Sequence, residues 1–345
     1  MVSIDSFQNK LLYPTIPIGF LEDVFQAVRF KGVNVENLLS TNGLSQAALE
    51  TPGMRVSIDI YSKVLRDLSR LTEDAFYGFL SKQIPAKAFE QCCYGLVGCR
   101  TMEECVKHAN DFYSLFTSEF SWSLEKYRND LTLTAHIEPM MSIDYRFIIQ
   151  SLLLMAIRLF GWLLGEDIAI KSVSFTFAKN STDESLAYLL GNSIDYECDA
   201  NSIRIAGAYA DARLSCTRNQ VALMLEKKAY LFLGGQQTKT FSQEVRRILL
   251  TNKNEGWLEV DEVASSLNLN PNQLWRKLKK EGTSFLDIRD QIKRDWALVL
   301  LDDPANSVEY VGEVLRYSDV SAFRKAFKKW TGLQPIKYRE KLRGA

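Results

Sequence analysis

The feature that most constrains the fold is a repeat of apolar positions in the C-terminal third of the chain. Apolar residues return 48 or 49 residues later, in the pairs Val263 and Val311, Ala264 and Gly312, Leu274 and Phe323, and Leu278 and Phe327. A period of roughly 50 residues is typical of a repeated supersecondary unit. Because no strand pattern interrupts these segments, the repeat predicts two copies of a three-helix unit.

Each copy contains a tight polar turn between two helices. In the first copy the turn spans residues 268–271, where Asn270 suits an N-cap and Pro271 suits the first helical position. In the second copy it spans residues 316–319, and Ser318 is the predicted cap. The small residues Ala264 and Gly312 allow the paired helices to cross closely. Each copy is therefore predicted to be a helix-turn-helix.

The second helix of each copy is strongly basic. Its bases are Arg276, Lys277, Lys279 and Lys280 in the first copy, and Arg324, Lys325, Lys328 and Lys329 in the second. The apolar residues of these helices lie four positions apart and face the core, so the bases project away from it. One such helix fits an ordinary solvated surface. Two matching helices after two matching turns favour a surface for nucleic acid.

Charge is distributed unevenly although the chain is neutral. Residues 240–345 hold 19 Lys and Arg against 15 Asp and Glu, a balance of +4, whereas residues 1–239 hold 23 against 27, a balance of −4. A basic C-terminal part suits a nucleic-acid partner. We therefore expect double-stranded DNA to bind there.

Residues 307–339 resemble the signature of the AraC/XylS family of transcription regulators. The pattern that carries the resemblance is Phe323, Phe327, Trp330-Thr331-Gly332, Pro335 and Tyr338-Arg339. Residues 281–285 resemble the first motif of the subgroup related to ornithine-utilisation regulators, and the match spans roughly residues 241–342. The upstream part resembles, less closely, the arabinose-binding-like domain of that subgroup.

The resemblance implies how the two motifs lie on DNA. In this family a long helix holds them apart, and the segment 285–301 fits that helix, with a buried stripe of Ile288, Ile292, Trp296 and Leu300. The recognition helices then enter successive major grooves, ~34 Å apart on one face of the duplex. The implied base-contacting residues are Asn272, Gln273, Trp275 and Arg276 in one groove, and Val320, Ser321, Arg324 and Lys325 in the other.

Side-chain chemistry refines these roles. Arginine suits guanine and glutamine suits adenine, each through paired hydrogen bonds. The later lysines suit phosphate contacts, or solvent alone, and they are Lys279, Lys280, Lys328 and Lys329. Trp275 is larger than the usual polar residue at its position. It either contacts thymine methyl groups, which we favour, or packs inward.

The N-terminal part is predicted to be an α+β domain. Strands are predicted at residues 120–125, 131–138, 168–178 and 202–206, the first two forming a hairpin around a turn at 128–130. Helices are predicted at residues 74–80, 102–116, 147–165 and 221–233. The polar segment 234–240 is the predicted linker. We expect a ligand-sensing and dimerisation domain over residues 1–233 and an all-α domain with two helix-turn-helix motifs joined by a long helix over residues 241–345.

The segment 147–165 approaches the length of a membrane-spanning helix. Gln150 and Arg158 interrupt it, and an arginine near the centre of such a helix costs ~2.5–3.5 kcal/mol on insertion. Its apolar residues follow helical spacing, so we expect a core helix and no membrane partner. The first ten residues do not fit a signal peptide, and the six cysteines form no CxxC pair, so we expect a cytoplasmic protein with reduced thiols.

The resemblance also implies a small-molecule effector in the N-terminal domain. The candidate pocket residues are Phe116, Trp122, Tyr145, Arg146, Arg158 and Trp162. Core packing explains each aromatic residue more readily, and a surface or snorkelling position is commoner for each arginine. An apolar pocket with one cation would suit an amphipathic carboxylate, such as a fatty acid or an amino acid. The apolar helix before the linker suits a homodimer contact, and packing inside the domain explains it equally well.

The sequence lacks the common motifs of enzymes. The sequence has no nucleotide-binding glycine motif, serine elbow or HExxH motif, so no cofactor or metal is predicted. DNA-repair methyltransferases with this type of helix-turn-helix carry a Pro-Cys-His-Arg motif, which this chain lacks. The adjacent Cys92 and Cys93 could sense oxidants, but buried packing is the stronger interpretation.

Two hypotheses follow. In the first, an effector controls a DNA-binding transcription regulator, an activator working with RNA polymerase, although the sequence does not separate activation from repression. In the second, a metabolic enzyme or redox sensor uses its basic helices as an interaction surface. No catalytic constellation supports the second, so we expect a regulator and not an enzyme.

Overall fold

The structure is a computed structural model that describes residues 15–138, 144–166, 168–180, 189–191, 193–214, 216–226, 241–251 and 257–344. Contacts between Cα atoms divide the chain into two compact units. The sheet unit comprises the described residues within 19–42 and 59–236, and the helix-turn-helix unit comprises those within 1–18, 43–58 and 237–345. The predicted fold class, an α+β part followed by a helical part, is confirmed.

The elements are numbered in chain order. The strands are β1 (Thr15–Pro17), β2 (Arg55–Ser57), β3 (Phe120–Tyr127), β4 (Asp130–Ile137), β5 (Ile170–Ser174), β6 (Ile194–Asp195) and β7 (Asn201–Ala206). The helices are α1 (Gly19–Phe30), α2 (Val35–Thr41), α3 (Gln46–Leu49), α4 (Ile58–Thr72), α5 (Ala88–Gly95), α6 (Met102–Ser114), α7 (Arg146–Leu164), α8 (Arg218–Glu226), α9 (Phe241–Thr251), α10 (Val260–Ser266), α11 (Pro271–Lys280), α12 (Phe285–Asp302), α13 (Val308–Val314), α14 (Val320–Thr331) and α15 (Pro335–Arg343).

A five-stranded sheet in the order β3-β4-β7-β5-β6 forms one layer of the sheet unit. Its neighbours are antiparallel except for the parallel pair β5 and β6. The predicted hairpin is confirmed, because Tyr127 pairs with Asp130 around a two-residue turn in which Arg128 has φ 52°. The strand predicted at 168–178 is shorter in the structure, where it is β5. Strand β6 was not predicted, because two residues are too few to show an alternating pattern in the sequence.

The apolar helix α7 packs on strands β4 and β7 and forms the core of the sheet unit. It ends at Gly165, whose φ of 74° suits glycine at a helix C-terminus. Among the described residues it is the one helix long and apolar enough to cross a membrane, and 67% of its most apolar window is buried inside the protein. It is therefore a core helix, as predicted.

The segment 74–80 is not the helix that was predicted. Its backbone N–H groups turn toward the Asp74 carboxylate, which accepts hydrogen bonds from Phe76 N and Gly78 N, both at 2.9 Å. Tyr77 has φ 53°, which a right-handed helix does not allow. An aspartate that captures the following N–H groups competes with a helix, and here it produces a turn. The helix predicted at 102–116 is confirmed as α6, with Thr101 as its N-cap.

Two clusters of apolar residues hold the helix-turn-helix unit together. The first packs α9, α10, α11 and α12 around Val245, Leu249, Val263, Ala264, Leu274, Leu278, Phe285, Ile288 and Ile292. In the second, aromatic rings of α14 and α15 stack edge to face, from Phe323 to Phe327 at 5.8 Å and from Phe327 to Tyr338 at 5.5 Å. The apolar residues that recur in the sequence repeat therefore lie in the cores of two separate motifs. Leu274 and Leu278 belong to the first core, and Phe323 and Phe327 belong to the second.

Residues from the N-terminal part of the sequence complete the helix-turn-helix unit. Strands β1 and β2 pair antiparallel, and the Tyr338 hydroxyl donates to Arg55 O at 2.8 Å while accepting from Arg55 N at 2.9 Å. The Thr15 hydroxyl donates to the Asp295 carboxylate at 2.9 Å. The predicted linker 234–240 lies outside the described residues, and the predicted domain boundaries stay a prediction.

Candidate nucleic-acid interface and ligand cavity

The turns of the two helix-turn-helix motifs share one backbone geometry. Asn268 has φ 55° and Arg316 has φ 58°, so both lie in the left-handed region. The next residue donates its N–H to the small residue five positions earlier, Ala264 at 2.9 Å in the first copy and Gly312 at 3.0 Å in the second. The repeat seen in the sequence is thus a repeat of turn geometry.

Each recognition helix begins at a side-chain cap. Asn270 accepts a hydrogen bond from Gln273 N at 2.9 Å, and the Gln273 side chain accepts one from Asn270 N at 3.0 Å, which forms the capping box of α11. On α14 the cap is Asp319, which accepts from Ala322 N at 2.8 Å. The prediction of Ser318 as this cap is wrong, because the helix begins one residue later. The Ala322 N–H, with the Ser318 hydroxyl, also holds the pKa of Asp319 below its ordinary value.

A close approach between helices explains the small residue on α13. A Cβ added to Gly312 would lie 3.3 Å from the Phe323 Cβ, tighter than ordinary van der Waals contact. Gly312 and Phe323 are both buried. The first helix of the second motif is thereby seated directly against its recognition helix.

The residues predicted to meet bases lie on the outer sides of α11 and α14. The exposed ones are Asn272, Gln273, Trp275, Arg276, Ser321 and Lys325, and the half-buried ones are Val320 and Arg324. The lysines predicted to contact phosphate, Lys279, Lys280, Lys328 and Lys329, are all exposed. On each of the two helices, the residues predicted to contact DNA therefore lie together on the solvent-facing side.

Trp275 points outward, with 54% of its surface exposed. The Lys279 ammonium lies 4.7 Å from the centre of its indole ring, within the range of a cation–π contact. Lys277, by contrast, lies 4.0 Å from the ring centre of Phe241, on the side of α9. Lys279 is thus held beside the tryptophan, and Lys277 is turned toward its own motif.

Two acidic side chains that sequence reasoning missed lie beside bases of α14. Glu309 forms an ion pair with Arg324 at 3.0 Å, and Asp290 lies 3.8 Å from the Lys329 ammonium. Each acid belongs to a different helix from its base, 15 and 39 residues away, so no helical spacing could have revealed the pair. An ion pair at Arg324 fixes the direction of its guanidinium without burying it.

A set of side-chain contacts joins the two motifs. Lys293 of α12 lies between the ring of Trp257, at 5.1 Å, and the ring of Tyr317, at 4.6 Å. The Trp257 indole N–H donates to Leu315 O at 3.2 Å. Since Trp257 packs on the first core cluster and Tyr317 lies in the second turn, this Trp257–Lys293–Tyr317 clamp joins the two motifs. Burial, assisted by Arg289, lowers the pKa of Lys293.

The long helix α12 also connects the motifs, as predicted. Ser284 caps its N-terminus, and Ile288, Ile292 and Leu300 are buried. Trp296 is half-buried and packs against the first core cluster.

The sheet unit contains an apolar cavity of about 70 Å³. Its sixteen lining residues come from α5, α6, α7, strands β3 and β4, and Leu96, and they are Phe89, Cys92, Cys93, Leu96, Cys105, Val106, Ala109, Tyr113, Phe120, Trp122, Leu133, Leu152, Met155, Ala156, Leu159 and Phe160. Burial raises the pKa of the Cys92 thiol to about 12, with Cys99 adding to it, so this thiol stays protonated at neutral pH. None of the lining residues is charged at that pH.

Among the six predicted pocket residues, Trp122 lines this cavity and the other five do not. The Tyr145 ring packs at 6.1 Å from Phe79. Arg146 donates to Ala178 O at 2.9 Å, and Arg158 donates to Leu189 O at 3.0 Å. Trp162 packs on the cluster of Cys93, Val221 and Met224, and the ring of Phe116 lies 5.5 Å from Phe112. The two arginines thus bind backbone carbonyls.

The described residues hold no group of three His, Cys, Asp or Glu side chains arranged for a metal ion.

Comparison with known proteins matches both units. Residues 32–214 match the family model described as the arabinose-binding domain of AraC transcription regulator, N-term, and residues 263–341 match a helix-turn-helix domain model. The ornithine utilization regulator of Pseudomonas aeruginosa is 20% identical over 327 residues, covering 94% of this chain and 96% of that protein. The regulator VirS of Mycobacterium tuberculosis is 27% identical over 190 residues, 53% of each chain.

Among solved structures, the transcriptional regulator CdpR from Pseudomonas aeruginosa is 17% identical, with a TM-score of 0.32 over 93% of this chain and 98% of that one. Paired helix-turn-helix motifs with outward basic helices, beside a domain of ligand-binding type, define a DNA-binding transcription regulator and not an enzyme. The chain belongs to the AraC family of these regulators, since the arabinose-binding-domain model alone matches more than half of it.

Proposed function

We propose that each protomer reads two successive major grooves of promoter DNA, with α11 in one groove and α14 in the next, under the control of a small molecule bound in the sheet unit. The observation that carries this proposal is the pair of recognition helices with the same turn geometry, held together by α12 and the Trp257–Lys293–Tyr317 clamp. Rigidly spaced helices suit two grooves on one face of DNA, ~34 Å apart. The protein is proposed to act in the cytoplasm, as a homodimer that works with RNA polymerase.

The roles of individual residues follow from their environments. The Arg276 guanidinium is exposed and makes no ion pair within the described chain, so it is available for guanine. Arg324 is directed by Glu309 and suits a guanine in the second groove. The Gln273 oxygen is occupied by the capping box, which leaves its amide N–H₂ as a donor to a base. Lys280 and Lys328 are assigned to phosphates.

The test is selection of genomic DNA fragments with the full purified chain, followed by footprinting. We expect each bound protomer to protect two segments that lie a helical turn apart. Arg276→Ala and Lys325→Ala should each relax the sequence preference at one base, in different segments, at a cost of ~1–3 kcal/mol. Lys328→Ala should weaken binding to every sequence and reduce the salt slope by ~1. Arg70→Ala, an exposed base in the sheet unit, is the matched control and should leave binding unchanged.

A footprint that covers one groove, or one that is unchanged by both Arg276→Ala and Lys325→Ala, would contradict the two-groove proposal. The effector class predicted from the sequence, an amphipathic carboxylate, stays a prediction. It requires a cation at the ligand, for which the sequence suggests Arg146 or Arg158.

A further inference from the structure

The chemistry of the cavity restricts what the effector can be. A carboxylate placed among the lining residues would find no cation or cluster of N–H donors to pair with, and an unpaired buried charge is strongly disfavoured. A sugar would leave most of its hydroxyl groups without partners, which is also costly. The lining therefore favours a ligand whose surface is almost entirely apolar.

One side chain in the lining offers a specific polar contact. Tyr113 is 7% exposed, and its hydroxyl has no hydrogen-bond partner in the described part of the chain. Its ring is held in place by edge-to-face contacts with Phe76, Phe112 and Phe120, at centroid distances of 5.9, 5.3 and 5.4 Å. It supplies the lining's one hydroxyl group. A hydroxyl on a ring that is fixed in the wall of an apolar cavity is suited to bind one ligand oxygen.

The size of the cavity sets the scale of the ligand. An engineered apolar cavity of ~150 Å³ in another protein stays dry and binds benzene. The present cavity, about 70 Å³, is roughly half of that volume and has walls of the same chemical type. Benzene has six heavy atoms, so a molecule of about three or four heavy atoms is near the upper limit here without movement of the walls.

We propose that the effector site is this cavity, and that its ligand is a small, uncharged, mostly apolar molecule with a single carbonyl or hydroxyl oxygen bound by the Tyr113 hydroxyl. The inference rests on the proposed function, because it identifies the site and the chemical class of that effector. It replaces the amphipathic carboxylate with a neutral ligand. Burial raises the pKa of Tyr113, so the phenol stays protonated and acts as a donor at neutral pH.

The test uses two small probes of nearly equal shape, acetone and acetate, in which a methyl group of the ketone stands in place of a carboxylate oxygen. Binding to the full chain is measured by NMR titration, together with the affinity for the two-segment DNA site. We expect acetone to bind at least tenfold more tightly than acetate and to change the DNA affinity. Tyr113→Phe should weaken ketone binding about two- to tenfold, the effect of one hydrogen bond.

A second variant, Ala156→Leu, fills the cavity from α7 and should abolish ketone binding. Ala305→Leu, at an exposed position of the helix-turn-helix unit, controls for the added side chain. Acetate binding as tightly as the ketone would overturn the inference. So would ketone binding unaffected by both Tyr113→Phe and Ala156→Leu, no ketone binding at all, or ketone binding that leaves the DNA affinity unchanged.

A failure of the ligand assignment can be distinguished from a failure of the proposed function. If the wild-type chain protects two DNA segments but does not bind the ketone, the two-groove proposal stands and the ligand assignment fails. If no sequence is selected from genomic DNA, the proposed function fails whatever the probes do.

Discussion

Single side chains decide where the recognition helices begin. Asn270 closes a reciprocal capping box with Gln273, which satisfies two N–H groups at the first turn of α11. We expect Asn270→Ala to lower the free energy of unfolding by ~1 kcal/mol. Asn270→Asp keeps an acceptor and should stay within a few tenths of a kcal/mol of the wild-type stability. Urea unfolding followed by circular dichroism measures both. Equal losses for the two variants would show that the cap is not the cause.

Trp275 gives a second prediction at this scale, because its exposed ring suits a thymine methyl group. Replacing one thymine of the site with deoxyuracil removes only that methyl, whose burial corresponds to roughly a fourfold change in affinity. Wild-type protein should lose about this factor at one thymine, and Trp275→Ala should be insensitive to the same replacement. Fluorescence anisotropy measures the four affinities, of wild type and Trp275→Ala for the thymine and the deoxyuracil site. A wild-type protein indifferent to every thymine would mean that the ring does not read a methyl.

Predictions for single residues were correct where they depended only on neighbours in the sequence. Asn270 and Pro271 fit adjacent cap and first-turn positions, and the structure has both. At the second motif Ser318 and Asp319 are adjacent residues that both suit an N-cap, so local preference could not choose between them. Glu309 could not be linked to Arg324 from the sequence, because the pair forms only once α13 crosses α14.

At the scale of elements, hydrophobic spacing predicted long helices well and short irregular segments poorly. In α12 and α7 the apolar residues recur at helical spacing over many turns, so the sequence predicts both helices. The segment 74–80 has an apolar pattern compatible with a helix, but the Asp74 carboxylate captures its N–H groups. Such competition depends on three-dimensional geometry and leaves no periodic signal.

The clamp between the motifs leads to a prediction about spacing. Trp257→Phe removes the N–H donor to Leu315 O and replaces the indole that Lys293 contacts with a smaller ring. We expect the variant to bind the cognate site more weakly, yet to tolerate a one-base-pair change between the two half-sites better than wild type does. Electrophoretic mobility shifts with the cognate and respaced sites measure this tolerance. Arg247→Ala, on the outer face of α9, is the control and should retain the wild-type preference.

At the scale of the whole molecule, the least predictable feature is that residues 15–18 and 43–58 belong to the helix-turn-helix unit. Thr15 and Asp295 are 280 residues apart, and Arg55 and Tyr338 are 283 apart. Contacts at such separations leave no trace in periodicity or local motifs. The chain passes out of the helix-turn-helix unit and returns to it, which a contiguous division of the sequence does not anticipate. Helices α12 and α15 are therefore held in part by residues from the N-terminal part of the chain.

Asp295 makes this dependence measurable through pH. It is 0% exposed and lies 3.8 Å from the Arg55 guanidinium and 2.9 Å from that of Arg294. Burial alone would raise the pKa of Asp295, but Arg294, Arg55 and Arg246 outweigh burial and hold this pKa below its ordinary value. A carboxyl group whose pKa is lower in the folded state stabilises that state above its unfolded pKa of ~3.9. The stabilisation is lost as the pH falls through the folded pKa.

We therefore expect Asp295→Asn to lower the free energy of unfolding by ~2 kcal/mol at neutral pH, and the difference from wild type to shrink as the pH falls below ~4. Arg55→Met, far away in sequence, should produce a loss of the same sign and should increase hydrogen exchange in α12. Asp290→Asn, a more exposed acid on the same helix, is the control and should change the pH profile little. If the loss in Asp295→Asn were the same at pH 3 and pH 7, the buried charge would not be what ties the N-terminal segments to α12.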